Sequence, residues 1–136
     1  MTVFPDNQGA ILEAPAKKER NLAVTELKKD FKELADRSIS RASAEKYGIW
    51  RDNENGRTYF PYYEGSGRSH LANKVRYPDK EFSVEGDLRG SGLFGQQLFP
   101  GNSAKFVTLV EGEYDAAAAF ELMGSRWPVV SVRSGA

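Results

Sequence analysis

The chain contains no cysteine, a single histidine and no excess of either charge, with 19 basic and 19 acidic residues in 136. Without cysteine there are no disulfides and no thiolate zinc site, and His70 alone cannot build a histidine-rich one. A net charge of zero means that no global field advertises a polyanionic partner. The balance also holds by region. Residues 1–48 carry nine basic and eight acidic side chains, 49–104 seven of each, and 105–136 three and four. Any contact with nucleic acid must therefore come from a local arrangement. No apolar run approaches the roughly 20 residues of a membrane span. Met1-Thr-Val-Phe-Pro5 has neither the basic start nor the apolar core of a secretory signal, so a soluble intracellular protein is the expectation.

What the chain does have is a hydrophobic content of 40%, enough to support a core. Its length suits one domain, or a small domain plus part of another. Residues 1–24 read as a flexible N-terminal arm, punctuated by Pro5, Gly9 and Pro15 and carrying the charge run Lys17-Lys-Glu-Arg20. The other reading of this arm is a contact with nucleic acid or a neighbouring subunit. Residues 25–48 predict two short helices. The first is capped by Thr25 and carries Leu27, Phe31 and Leu34 as one stripe; the second is capped by Ser40 and closed by Gly48. The second holds only Arg41 and Lys46 as basic residues, so the pair reads as packing rather than as a DNA-reading helix-turn-helix.

Residues 49–85 predict an antiparallel meander of about four strands. Turns fall at Asp52–Gly56, Glu64–Arg68 and Tyr77–Asp79, and Pro61 marks an edge or a bulge. A short helix is expected after Ser91, with Leu93, Phe94 and Leu98 as its apolar stripe. Strand 106–110, helix 114–123 and strand 128–132 then form a right-handed parallel βαβ unit. The class is α+β: two short N-terminal helices, an antiparallel sheet and a partial βαβ unit.

Three groups of residues carry chemistry. Glu111, Glu113 and Asp115 flank Gly112 at the carboxyl end of a buried strand, where open α/β sheets collect ligands. Gly112 allows a tight turn and the close approach of a ligand. Glu113 and Asp115 also suit a plain helix N-terminus, whereas Glu111 gains nothing obvious in stability there. If this cluster holds a metal, Mg²⁺ is the natural ion for hard oxygen ligands in the company of phosphate. Lys74 and Arg76 lie two apart and project from one strand face with Ala72, and Lys80 begins the next strand within reach of them. Three converging cations suit a triphosphate or a nucleic-acid backbone, although the neighbouring Asp79 and Glu81 also fit an ordinary mixed-charge hairpin. Trp50, Tyr59, Tyr62 and Tyr63 either stack bases or pack across strands, and packing is the commoner use. His70 reads as an ordinary surface or packing residue.

The run Phe106-Val-Thr-Leu-Val-Glu-Gly-Glu-Tyr-Asp-Ala-Ala-Ala-Ala-Phe120 resembles the opening motif of a TOPRIM domain. Upstream, Ala72–Arg76 with Lys80-Glu-Phe82, and Gly92-Leu-Phe-Gly-Gln-Gln-Leu-Phe99, are similar to the N-terminal part of the primase domain in phage primase–helicases and their Twinkle-like relatives. Leu34–Ser40 and Lys46-Tyr-Gly48 fit the same family's helical lead-in, and the pieces occur in the family's order over roughly residues 25–136. The resemblance implies a polymerase subdomain at 25–103 and the start of a TOPRIM subdomain at 104–136. It assigns Lys74, Arg76 and Lys80 to the nucleoside triphosphate or the primer–template. Glu111 becomes a metal-linked acid/base and Asp115 its acidic neighbour, with Mg²⁺ as cofactor. The implied role is synthesis of RNA primers on single-stranded DNA, beside a helicase domain and in the cytoplasm of a phage host.

Three family features are not found in the sequence: a cysteine zinc module, the TOPRIM Asp-x-Asp pair and a helicase phosphate loop. An N-terminal fragment with negligible primer synthesis by itself is therefore expected. The alternative is a non-catalytic module that binds single-stranded DNA or nucleotide beside a helicase. A piece of a TOPRIM nuclease or topoisomerase is a third reading, which the upstream match disfavours.

Overall fold

In this computed structural model, residues 23–101 and 106–133 are described. The arm expected at 1–24 lies outside them except for its last two residues, as does the boundary expected at 103/104. Four strands form an antiparallel meander in sequence order: β1 (Trp50–Arg51), β2 (Thr58–Tyr63), β3 (His70–Arg76) and β4 (Phe82–Gly86). A second, parallel pair joins β5 (Thr108–Val110) to β6 (Val129–Ser131). Two α-helices complete the fold, α1 (Arg41–Tyr47) before the meander and α2 (Glu113–Leu122) between β5 and β6. The expected α+β class, four-stranded sheet and βαβ unit are all present.

Alternation sorts the meander into two faces. The register pairs Phe60 with Lys74 and Lys74 with Val84, and Thr58 with Arg76 and Arg76 with Phe82. Lys74 and Arg76 thus share a face with Phe60, Tyr62 and Ala72, and this face carries the main core. Phe94, fully buried, sits at the centre of that core with ring centroids 5.5–6.0 Å from Tyr62, Tyr47 and Phe60. Its backbone exchanges hydrogen bonds with Ser131 of β6 at 3.0 Å, which ties the meander side to the βαβ unit. The α2 residues Ala116, Ala117 and Phe120 close the same core. Pro61 needs no second ladder partner, because β1 pairs only with Thr58 and Tyr59, and a register shift follows at Tyr62/Tyr63.

Two expected helices do not form. Residues 23–33 run without regular structure along the opposite sheet face, followed by a single 3-10 turn at Ala35–Arg37. The groups of Thr25 that would cap a helix go to Glu85, with the amide at 2.8 Å and the hydroxyl at 2.9 Å from its carboxylate. Leu27 and Phe31 still meet a core, packing on Trp50, Tyr59 and Val75 as a strap rather than a stripe. Extended chain of about 3.3 Å per residue reaches across a sheet that a helix at 1.5 Å per residue would not cross. Gly86 ends β4 at φ +80°, and a side chain there would run into the Leu71 carbonyl and Val24 of the strap. After Ser91 a 3-10 turn at Gln96–Leu98 replaces the expected helix, since the backbone of Phe94 is committed to Ser131. The second N-terminal helix forms as expected: Ser40 caps α1, its hydroxyl accepting from the Ser43 amide at 3.2 Å, and Gly48 closes it at φ +73°.

Candidate functional site

A cavity of about 500 Å³ lies where β3 and β4 face the junction between β5 and α2. β3 contributes Lys74 and Arg76, and the junction contributes Glu111, Gly112, Glu113, Tyr114 and Asp115. Two of the cations that the sequence singled out, Lys74 and Arg76, are therefore neighbours of the acidic cluster across one opening, although 35 residues or more separate them in the chain. Phe82 supports the cations, with Lys74 Nζ 5.7 Å and the Arg76 guanidinium 5.2 Å from its ring centroid. Glu111 and Asp115 are both exposed. Among the described residues no three histidine or acidic side chains gather as a metal set.

The most buried polar group of the cavity is Glu113. Its carboxylate pairs with Lys74 Nζ at 2.7 Å, and the two side chains are only 9% and 12% exposed. The same oxygen accepts a hydrogen bond from the Tyr62 hydroxyl at 2.5 Å. Burial first, and the negative charge of Glu113 second, raise the pKa of Tyr62 far above the usual phenol range, so the hydroxyl remains a donor. Lys74 is therefore held in place by a buried partner rather than swinging freely from the strand.

Lys80 is placed differently from expectation. It does not begin the next strand: β4 starts at Phe82, and Lys80 occupies the turn before it at φ +71°, exposed. It lines a second, adjoining cavity of about 270 Å³, whose wall of Arg37, Arg76 and Tyr114 is shared with the first. Gly112 also serves another purpose than a tight turn. Its φ of −143° is open to any residue, but a Cβ would stand 3.1 Å from the Asp115 carboxylate, so glycine leaves room for that side chain.

Sequence and structure comparisons converge on one group. Over 107 residues, 78% of its length, the chain is 34% identical to a DNA helicase/primase of Enterobacteria phage T3. In structure it matches the primase fragment of the bacteriophage T7 primase-helicase protein with a TM-score of 0.72 and 26% identity, covering 90% of this chain and 52% of that one. The chain is homologous to the primase part of phage primase–helicases. A further match is a bacteriophage T7 lagging-strand DNA polymerase interacting with primase domains bound to an RNA/DNA hybrid and dTTP. There the TM-score is 0.67 and the identity 31%, over 75% of this chain and 52% of that chain. The chain spans about a fifth of the length of the helicase/primase relative and about half of the primase fragment. No family model matches it.

Glu113, which lines the cavity, and Tyr62, which donates to it, have roles that the sequence reading did not give them, although one had left a signal. The buried positions of α2 are 113, 116, 117 and 120, the spacing of a single helical stripe. Glu113 opens that stripe, and a carboxylate on a buried stripe requires a partner. Asp115, off the stripe, is exposed. Lys74 follows the same logic on β3, sharing a face with the buried Ala72. Tyr62 gave no signal beyond its strand, because a tyrosine buried for packing and one buried to donate to Glu113 look alike in sequence.

Proposed function

We propose that the larger cavity binds a nucleoside triphosphate and that the chain serves the primer-synthesising part of a phage primase–helicase, acting on single-stranded DNA. The observation that carries this reading is the juxtaposition of Lys74 and Arg76 on β3 with Glu111 and Asp115 at the β5–α2 junction, around one opening. The polyphosphate meets Lys74 and Arg76, whose guanidinium fork suits phosphate oxygens. Lys74 is presented by Glu113 and Tyr62, so little side-chain entropy is lost when it meets an anion. Glu111 and Asp115 would hold Mg²⁺, with substrate phosphates and water completing its shell. Bound there, the ion would offset charge on the phosphates undergoing transfer. Glu111 also serves as the acid/base for the attacking hydroxyl, being exposed and lining the cavity. The T7 relative bound to an RNA/DNA hybrid and dTTP supports nucleotide and nucleic acid as the ligand classes.

The test is Mg²⁺-dependent binding of ATP by calorimetry, followed by primer synthesis on single-stranded DNA. Lys74→Ala is expected to weaken ATP binding by at least tenfold, in line with the loss of one charged contact of about 1.5–3 kcal/mol. Glu111→Gln is expected to remove the Mg²⁺ dependence. If ATP binds equally well with or without Mg²⁺ and Glu111→Gln changes nothing, the non-catalytic binding module is the better reading.

A further inference from the structure

The larger cavity has two unlike walls. One is charged, with Lys74 and Arg76 set against Glu111, Glu113 and Asp115. The other follows β4 and is apolar. Phe82 and Val84 alternate with the buried Ser83 and Glu85, so they share a face, and Leu88 continues the strip beyond Gly86. This strip carries no polar side chain. A nucleoside triphosphate is divided in the same way, into a polyanion and a flat base with apolar faces, and a cavity of about 500 Å³ is within the range that encloses a small ligand. The charged wall meets the polyphosphate, which leaves the strip without a role.

Three aromatic side chains line the cavity, and they differ in how much of each ring is already taken. Phe60 is 1% exposed, with its ring centroid 5.0 Å from that of Tyr114 and 6.0 Å from that of Phe94. Tyr114 is bonded at its hydroxyl by Arg51 at 2.9 Å, and the Arg37 guanidinium covers its ring at 4.4 Å. Phe82, by contrast, is 42% exposed. The other exposed large apolar side chains among the described residues all lie in the βαβ unit, so Phe82 is the exception in the meander. Lys74 and Arg76 lean on its ring, but both reach it from β3. β4 is the last strand of the sheet, so among the described residues no strand flanks the ring on its other side. We infer that Phe82 is the platform for the base of the bound nucleotide, which stacks on the open side of the ring and rests against Val84 and Leu88. The inference rests on the larger cavity being the nucleotide site, and it makes Phe82 a specificity-determining residue. Stacking is available to every base and grows with the ring area in contact, whereas a wall without polar side chains does not read the base's hydrogen-bonding edge. Purine triphosphates are therefore preferred to pyrimidine ones, and adenine is not told from guanine.

The test is calorimetric titration of the 136-residue chain with ATP, GTP, UTP and methyl triphosphate, which has the charge of ATP and no base. Mg²⁺ is present throughout and oligonucleotides are left out, so no template base competes for the ring. ATP and GTP are expected to bind within about twofold of each other and about threefold to tenfold more tightly than UTP. Phe82→Leu keeps apolar bulk and removes the flat ring, while Phe82→Trp keeps a flat ring; circular dichroism verifies that both fold. Phe82→Leu should weaken ATP binding about tenfold and leave methyl triphosphate within about twofold. Phe82→Trp should bind ATP at least as tightly as the wild type. Unchanged ATP affinity in Phe82→Leu overturns the inference. So does an equal loss of ATP and methyl triphosphate, since the ring would then act only by holding Lys74 and Arg76. UTP bound as tightly as ATP overturns the assignment of specificity. A wild type that binds methyl triphosphate as tightly as ATP overturns the platform and leaves the polyphosphate site intact. ATP binding that depends on the ring, with no binding of methyl triphosphate, upholds the platform and overturns the role of the cations instead. If neither ligand binds, both readings fail.

Discussion

The two faces of the antiparallel sheet each bury a glutamate, and they neutralise it in different ways. On the cavity face Glu113 is satisfied by a cation, Lys74, and by one hydroxyl, Tyr62. On the strap face Glu85 is satisfied by neutral donors alone: the amide and hydroxyl of Thr25, and Asn73 Nδ2 at 3.0 Å. Among the described residues no cation pairs with Glu85. A cation beside an opening retains a charge that an incoming anion can share, and it stays positioned meanwhile. Neutral donors carry no such charge, but three of them around one carboxylate fix the segment that provides them. Asn73 strengthens this, since its amide also donates to the Thr25 carbonyl at 2.9 Å. One buried carboxylate thus presents a side chain to a ligand, and the other fastens the chain's lead-in to the sheet.

The contrast breaks most decisively at the charged pair. Lys74→Met should cost about 3–5 kcal/mol of stability, because Glu113 is left buried and charged without its partner. Urea denaturation would show this as a lower midpoint at unchanged slope. Combining it with Glu113→Gln should recover a large part of the loss, since the second change removes the orphaned charge. A double variant no more stable than Lys74→Met would mean that the lysine stem, not the charge, holds this corner together.

Glu85→Ala should cost about 2 kcal/mol, spread over three donors that can turn partly to water. Its distinguishing effect is local. Amides of residues 23–31 should exchange faster while those of β3 and α2 keep their protection, and ATP binding should be unchanged. A uniform rise in exchange would show that the strap is part of the global folding unit. Tyr62→Phe comes next, at about 1.5 kcal/mol, by removing one hydrogen bond to a carboxylate that keeps its lysine. Nucleotide affinity measured on that variant separates positioning from stability. If Tyr62 positions Lys74 through Glu113, ATP binding weakens even at temperatures where the variant is fully folded.

Much of this was legible in the sequence, and the gaps have physical causes. Alternation along β3 put Lys74 and Arg76 on one face, and the apolar run into Glu-Gly put Glu111 at a strand end; both are local patterns. The resemblance to a phage primase came from short pieces in order, which survive even where elements were misread. The helix expected at 25–34 was misjudged because Leu27 and Phe31 meet the sheet at a spacing that also fits one helical face. Only the distant Glu85, 60 residues away, decides how Thr25 is used. Glu113 was taken for a helix-end charge although it sits on the buried stripe with Ala116, Ala117 and Phe120. The second cavity was invisible, because Arg37, Arg51 and Lys80 come from three separate turns and strand ends that only the tertiary fold assembles.

A third carboxylate sharpens the comparison with the smallest expected effect. Glu121, near the end of α2, accepts from the Ser43 hydroxyl at 2.7 Å and from the Ser40 amide at 3.1 Å, joining α2 to the cap of α1. Like Glu85 it is held by neutral donors, but at a site open to water. The Ser43 hydrogen bond first, then those from Ser40, lower its pKa below the ordinary 4.5. The folded state therefore binds its proton less readily than the unfolded state, and this stabilisation is complete above the unfolded value. It disappears as the pH falls through the lowered folded value. Glu121→Gln keeps an acceptor oxygen and removes the charge, so it should cost about 0.5–1 kcal/mol at neutral pH. Thermal unfolding of both proteins between pH 7 and pH 3 should show the gap closing on the acid side. A gap that persists unchanged at the acid end would mean that the serine contacts stabilise through geometry alone. Neutral donors would then be enough to hold a carboxylate without drawing on its charge, at Glu121 as at Glu85.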